Sequence, residues 1–166
     1  MFALSAPIVR AACALPARPT GAGSAGDVAA TVAGWGPDGA REARGHLGDA
    51  AAKKGEELAA AYNFAADSDH ADLGRAYGFA VARLAYAAAL PHIGARPSPE
   101  GGFVASVGTG DSERTLLGTR SVEALIKQIR SAALASLDTL RAELEASAGV
   151  DLSGDAGASP VIPILA

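Results

Sequence analysis

The stretch ADLGRAYGFAVARLAYAAAL, residues 71–90, limits what the whole chain can become. Read as a helix from about His70 to Leu90, it is apolar on nearly every side. Leu73, Ala76, Tyr77, Ala80, Val81, Leu84, Ala87 and Ala88 spread round its circumference, and Arg75 and Arg83 carry the only charges in its body. Such a helix has no wet face. It must be wrapped by other elements, at the centre of a bundle or in an interface between subunits. Ser68 and Asp69 in the preceding DSDHAD are N-cap candidates. Pro91, with Pro97 and Pro99 beyond it, is expected to end the helix and turn the chain.

Helices on both sides can supply the wrapping. The clearest runs from Ser121 to about Ser147, where Val122, Leu125, Ile126, Ile129, Ala133, Leu137, Leu140 and Leu144 form a continuous stripe. Glu123 and Lys127 make a favourable i,i+4 pair on its wet side, and Gly149 is a natural stop. Upstream, a helix is expected from near Asp38 to about Ala66, with Leu47, Ala51, Leu58, Ala61, Tyr62 and Ala65 on one face. Gly45, Gly48 and Gly55 interrupt it, so a break or a tight crossing is expected at one of them. Asp27 can cap a short helix that ends between Gly34 and Pro37, with Trp35 as a packing anchor under the turn. Aromatic residues are only 5% of the chain and alanine dominates its apolar content, which predicts close helix–helix packing rather than a bulky aromatic core.

The segment GGFVASVGTGDSERTLLGTRS, residues 101–121, breaks the helical texture. Residues 103–107 are β-prone, 108–112 have turn chemistry and 114–117 form a second short strand, which together predict a β-hairpin over 101–118. Residues 1–26, punctuated by Pro7, Pro16 and Pro19, read as an irregular arm and linker. Residues 149–166 read as a second arm whose tip, PVIPILA, is apolar. The expected fold is therefore mostly α: a helical domain over 27–148, with one β-hairpin inserted before a long C-terminal helix, and extended N- and C-terminal arms. At 166 residues the chain suits one domain with a real core.

The residues that could carry chemistry are scattered. His46, His70 and His92 each lack a second ligand at metal spacing, and the acids of DSDHAD are explained by helix capping. GAGSAG (Gly21, Gly23, Gly26) matches a dinucleotide fingerprint in letters, but the preceding ALPARPT is no strand. In GTGDSER no lysine or helix start follows at the spacing of a phosphate loop. Cys13 is the single cysteine, so an intramolecular disulfide is impossible and an intracellular setting is the default. The first residues lack a basic region, and Pro7 and Arg10 interrupt their apolar run, unlike a secretory signal. No apolar run approaches the ~20 residues of a membrane span. No cofactor, metal site or reaction is expected. The net charge of −4 argues against broad adhesion to nucleic acid or anionic lipid.

Two features instead predict contact with other copies. A lone hairpin is marginal in water and its open edges invite another chain. An apolar tip at the end of a polar linker needs a surface to dock on. The candidate subunit-interface residues are Phe103, Val104, Val107, Leu116 and Leu117 in the hairpin, and Val161, Ile162, Ile164 and Leu165 in the tail. Arg96, Arg114 and Arg120 flank the hairpin and can face a partner or DNA.

The order of elements in the second half, carried by GGFVASVG and RTLLGTRSVEALIKQIRSAAL, resembles the head–tail connector (adaptor) proteins of tailed bacteriophages and related prophage elements. In those a small helical bundle precedes a glycine-led hairpin or loop and a long amphipathic helix, corresponding here to residues 73–90, 101–118 and 121–144. The resemblance implies a homo-oligomeric ring, often a dodecamer, between the portal and the tail-side connector or stopper proteins. DNA would pass through its central channel without sequence-specific binding. It implies a virion protein, present in the host cytoplasm during assembly, with no cofactor. An acidic channel suits DNA that must slide without sticking. A different class, a cytosolic helical dimeric regulator or small-ligand-binding bundle, would use the apolar middle helix to line a dimer interface or a pocket.

Overall fold

The computed structural model describes residues 3–15, 28–61, 70–93, 96–97, 103–104 and 119–147. They are mostly helical. In chain order the helices are α1 (Ala6–Cys13), α2 (Val28–Ala33), α3 (Gly36–Leu47), α4 (Asp49–Ala61), α5 (Ala71–Ile93) and α6 (Thr119–Ser147).

Helix α5 is the nearly all-apolar segment, and it touches each of the other five. Its circumference is divided between two clusters of buried side chains. Leu73, Tyr77, Ala80, Val81 and Leu84 pack with Ala43 and Leu47 of α3, Ala51, Ala52 and Ala59 of α4, and Ala133, Leu137, Leu140 and Leu144 of α6. Ala82, Ala85 and Ala89, on the other side, pack with Ile8, Val9 and Ala12 of α1 and Ala29 and Val32 of α2. The expected position at the centre of a bundle is thus found, with small side chains where neighbours come closest.

The closest crossings lie at glycines. A Cβ added to Gly39 of α3 would sit 2.5 Å from the Val81 carbonyl oxygen, and one on Gly74 of α5 would sit 2.4 Å from the Leu58 carbonyl oxygen. Backbone therefore meets backbone there, and any side chain would force the helices apart. At Gly55 the space is taken by the Tyr77 ring, 2.4 Å from an added Cβ. The expected interruption of the long second helix falls at Gly48, whose φ of 87° only glycine adopts freely. Its N–H still bonds the Arg44 carbonyl at 2.9 Å, closing α3 before α4 begins.

Three expectations need correction. The N-terminal segment is not irregular throughout, because residues 6–13 form α1 with Ile8, Val9 and Ala12 buried. Pro7 occupies the first turn, where its missing N–H has no intrahelical role and its fixed φ suits a helix start, so it begins this helix rather than breaking one. Pro37 does the same for α3. Pro91 does not end α5, which continues to Ile93; the proline removes one i→i−4 hydrogen bond from the last turn without stopping the two residues beyond it. The hairpin over 101–118 is not supported. Two-residue strands, Arg96–Pro97 (β1) and Phe103–Val104 (β2), pair antiparallel, Arg96 opposite Val104 and Pro97 opposite Phe103. Phe103 and Val104 thus pair upstream with Arg96 and Pro97, and the expected second strand, 114–117, lies outside the described residues.

The N-terminal end of α3 is pinned to the end of α5. Trp35 precedes α3 and stacks on His92, with ring centroids 4.7 Å apart and planes 17° apart. The expected anchor under that turn is therefore present, and its partner is a histidine.

Candidate functional site

Helix α6 is longer than the bundle that covers it. Its apolar stripe repeats at helical spacing along its length, but the residues do not share one fate. Ala133, Leu137, Leu140 and Leu144 are buried. Val122, Ile126 and Ile129 are only half-buried, and Leu125 is 39% exposed. From Arg130 onward, ion pairs tie the helix to α3: Arg130 Nε lies 3.3 Å from Glu42 Oε1, and His46 Nε2 lies 2.7 Å from Asp138 Oδ1. Among the described residues no ion pair holds the segment from 122 to 129, and the Glu123–Lys127 pair is not formed.

Beside this uncovered half lies an open cleft of about 400 Å³. Ala12, Cys13 and Ala14 of the α1 end form one wall, Arg83 and Tyr86 of α5 the floor, and Leu125, Gln128, Ile129 and Ala132 of α6 the other wall. Arg83 Nε donates to the Ala12 carbonyl oxygen at 3.3 Å, which ties α5 to the end of α1. The two arginines in the body of α5 therefore differ. Arg75 is exposed and pairs with Asp72 at 3.2 Å. Arg83 is half-buried in the cleft, and among the described residues it meets no carboxylate.

Two titrating groups of the cleft, Cys13 and Tyr86, are pushed toward their neutral forms. Burial pushes the Cys13 thiol up to about 11, and the Arg83 charge offsets only part of that rise. Tyr86 is also raised, by burial first and by Cys13 second. The thiol lies 3.9 Å from the Ala82 carbonyl oxygen. A protonated, half-buried thiol is a poor nucleophile. What the arrangement offers is an apolar trough with one fixed positive charge and the polar ends of Tyr86 and Gln128.

No group of three or more His, Cys, Asp or Glu side chains able to hold a metal occurs among the described residues. No helix among them is long and apolar enough to cross a membrane.

Four of the residues singled out from the sequence fall in described elements. Arg96, Phe103 and Val104 belong to the short strands, and Arg120 to the first turn of α6. Val107, Arg114, Leu116, Leu117, Val161, Ile162, Ile164 and Leu165 lie outside the described residues. The cleft was not anticipated, although Arg83 carried a signal: a charge in the body of an otherwise apolar helix. Its meeting with Cys13 and Gln128 is a tertiary fact that no spacing reveals. No protein-family model, curated protein or solved structure matches the chain.

Proposed function

We propose that this chain is a structural protein that associates with copies of itself, in the manner of the ring-forming head–tail connectors of tailed bacteriophages. The observation that supports this reading is the apolar stripe of α6, which continues past the bundle into Val122, Leu125, Ile126 and Ile129 with partial cover. A second copy seated there would complete the burial, at roughly 25 cal/mol for each Å² of apolar surface removed from water. In this proposal Phe103, Val104, Val107, Leu116, Leu117, Val161, Ile162, Ile164 and Leu165 extend the contact between subunits. Arg96, Arg114 and Arg120 face a neighbouring protein or the DNA. The net charge of −4 suits a channel that lets DNA slide.

Mass photometry of the full chain tests this. A ring gives a large multiple of the 16.4 kDa subunit mass. Val122→Glu with Ile126→Glu, or deletion of residues 101–118 or 160–166, should shift the particles toward monomer while helicity is retained. A monomeric wild-type protein, or an unchanged mass in all three variants, overturns the proposal. A wild-type dimer favours the helical regulator instead.

A further inference from the structure

The cleft between α1, α5 and α6 sets one fixed cation against an apolar lining. Its lining is mostly carbon: Ala12, Ala14, Leu125, Ile129 and Ala132. It contains a cation, Arg83, and among the described residues no acidic side chain lines it. The bond from Arg83 Nε to the Ala12 carbonyl oxygen uses one of five guanidinium donors and fixes the base of the fork. A half-buried guanidinium without a carboxylate partner among the described residues leaves desolvated charge uncompensated, which an incoming anion relieves. The other ionisable side chains of the lining, Cys13 and Tyr86, are both pushed toward their neutral forms, so neither competes as an anion. The volume, about 400 Å³, falls within the range of small-molecule sites.

We propose that this cleft binds a small aliphatic carboxylic acid, its carboxylate on the Arg83 guanidinium and its chain along Leu125, Ile129 and Ala132. A planar carboxylate matches the Arg fork in two parallel hydrogen bonds, and an unbranched chain matches a trough walled by alanine and branched aliphatic side chains. All of the named lining comes from one chain, and because Leu125 and Ile129 also lie on the face proposed for self-association, a bound acid and a second copy would compete for them.

Calorimetric titration of the full chain tests it, with decanoate below its micelle concentration as the probe and decylammonium as a control of the same chain and opposite charge. Decanoate should bind saturably, one per chain, and decylammonium at least ~10-fold more weakly. Arg83→Gln should weaken decanoate by on the order of 10-fold, whereas Arg83→Lys should retain part of the affinity. Ala132→Trp should abolish binding with the fold intact, because Ala132 is exposed and fills the cleft rather than the core when enlarged. Should Arg83→Gln fail to fold, Arg83→Lys and Ala132→Trp still decide the matter. Equal binding of the two probes, an absence of saturable binding to wild type, or decanoate affinity unaffected by Ala132→Trp overturns the proposal.

Discussion

His46 Nε2 stands 2.7 Å from Asp138 Oδ1, and the contact bridges α3 and α6 across 92 positions of sequence. His46 is mostly sheltered and Asp138 mostly exposed, with side-chain exposures of 24% and 69%. An exposed pair of this kind contributes at most about 1 kcal/mol. His46→Ala and Asp138→Ala should each lower stability by less than ~1 kcal/mol in urea unfolding. The double variant should cost less than the sum of the two, because the second change removes nothing further from the pair. Full additivity would mean that the two side chains are not coupled.

The helix crossings make a sharper prediction. Gly39→Ala and Gly74→Ala place a methyl group against a neighbouring backbone, which cannot rotate away as a side chain can. Each should destabilise by about 1–3 kcal/mol. Gly45 faces open space within 4 Å and sits inside α3, so Gly45→Ala should instead stabilise by up to ~1 kcal/mol. Thermal melts of the three variants must therefore move in opposite directions. A loss at Gly45 comparable to that at Gly39 would refute the crossing geometry.

The two halves of α6 should respond differently to truncation. Leu140→Ala removes a side chain buried against α5 and should cost about 2–5 kcal/mol. Leu125→Ala removes one that is 39% exposed and should cost well under 1 kcal/mol in the monomer. Chemical denaturation at low protein concentration, where association does not contribute, separates the two. Similar losses would show that the first half of α6 is covered after all.

Cys13 gives a pH-dependent readout. Its thiol is raised by burial from an ordinary value of 9.0 to about 11, so the folded state holds the proton more tightly than the unfolded chain. The stabilisation is whole below pH 9 and is lost as the pH climbs from 9 toward 11. Cys13→Ser should flatten the fall in stability between pH 9 and 10. Native Cys13 should also react with iodoacetamide on the order of 100-fold more slowly at pH 8 than an ordinary thiol, following its smaller thiolate share. Alkylation at the rate of the unfolded chain would contradict the burial.

Much of the helical frame was legible in the residues. The apolar circumference of 71–90 placed α5 at the centre, and the stripe from Val122 to Leu144 marked α6, because helical periodicity records which faces meet a core. Gly48 and Gly55 marked a break and a crossing for reasons of backbone freedom and space. The proline readings failed where position within a helix mattered more than the residue: Pro7 and Pro37 begin helices, and Pro91 sits near the end of one. The hairpin over 101–118 is not supported, because strand propensity at Phe103 and Val104 does not encode which segment they pair with. The cleft needed three distant segments to meet, so Arg83 alone could signal an anomaly without showing its surroundings.

The division of the α5 circumference also orders how the molecule comes apart. The layer of α1 and α2 rests on the small, fully buried Ala82, Ala85 and Ala89, flanked by the half-buried Phe79 and Tyr86, whereas the opposite side holds the fully buried Tyr77, Leu84, Leu137, Leu140 and Leu144. With fewer large side chains fully buried, the first layer is expected to open before the second. Amide hydrogens of α1 and α2 should then exchange with solvent through a partial opening, ahead of those in the middle of α5, which wait for global unfolding. Lifting that layer would also remove the Ala12–Cys13 wall beside Arg83, so the least anchored part of the molecule doubles as the door to its cleft.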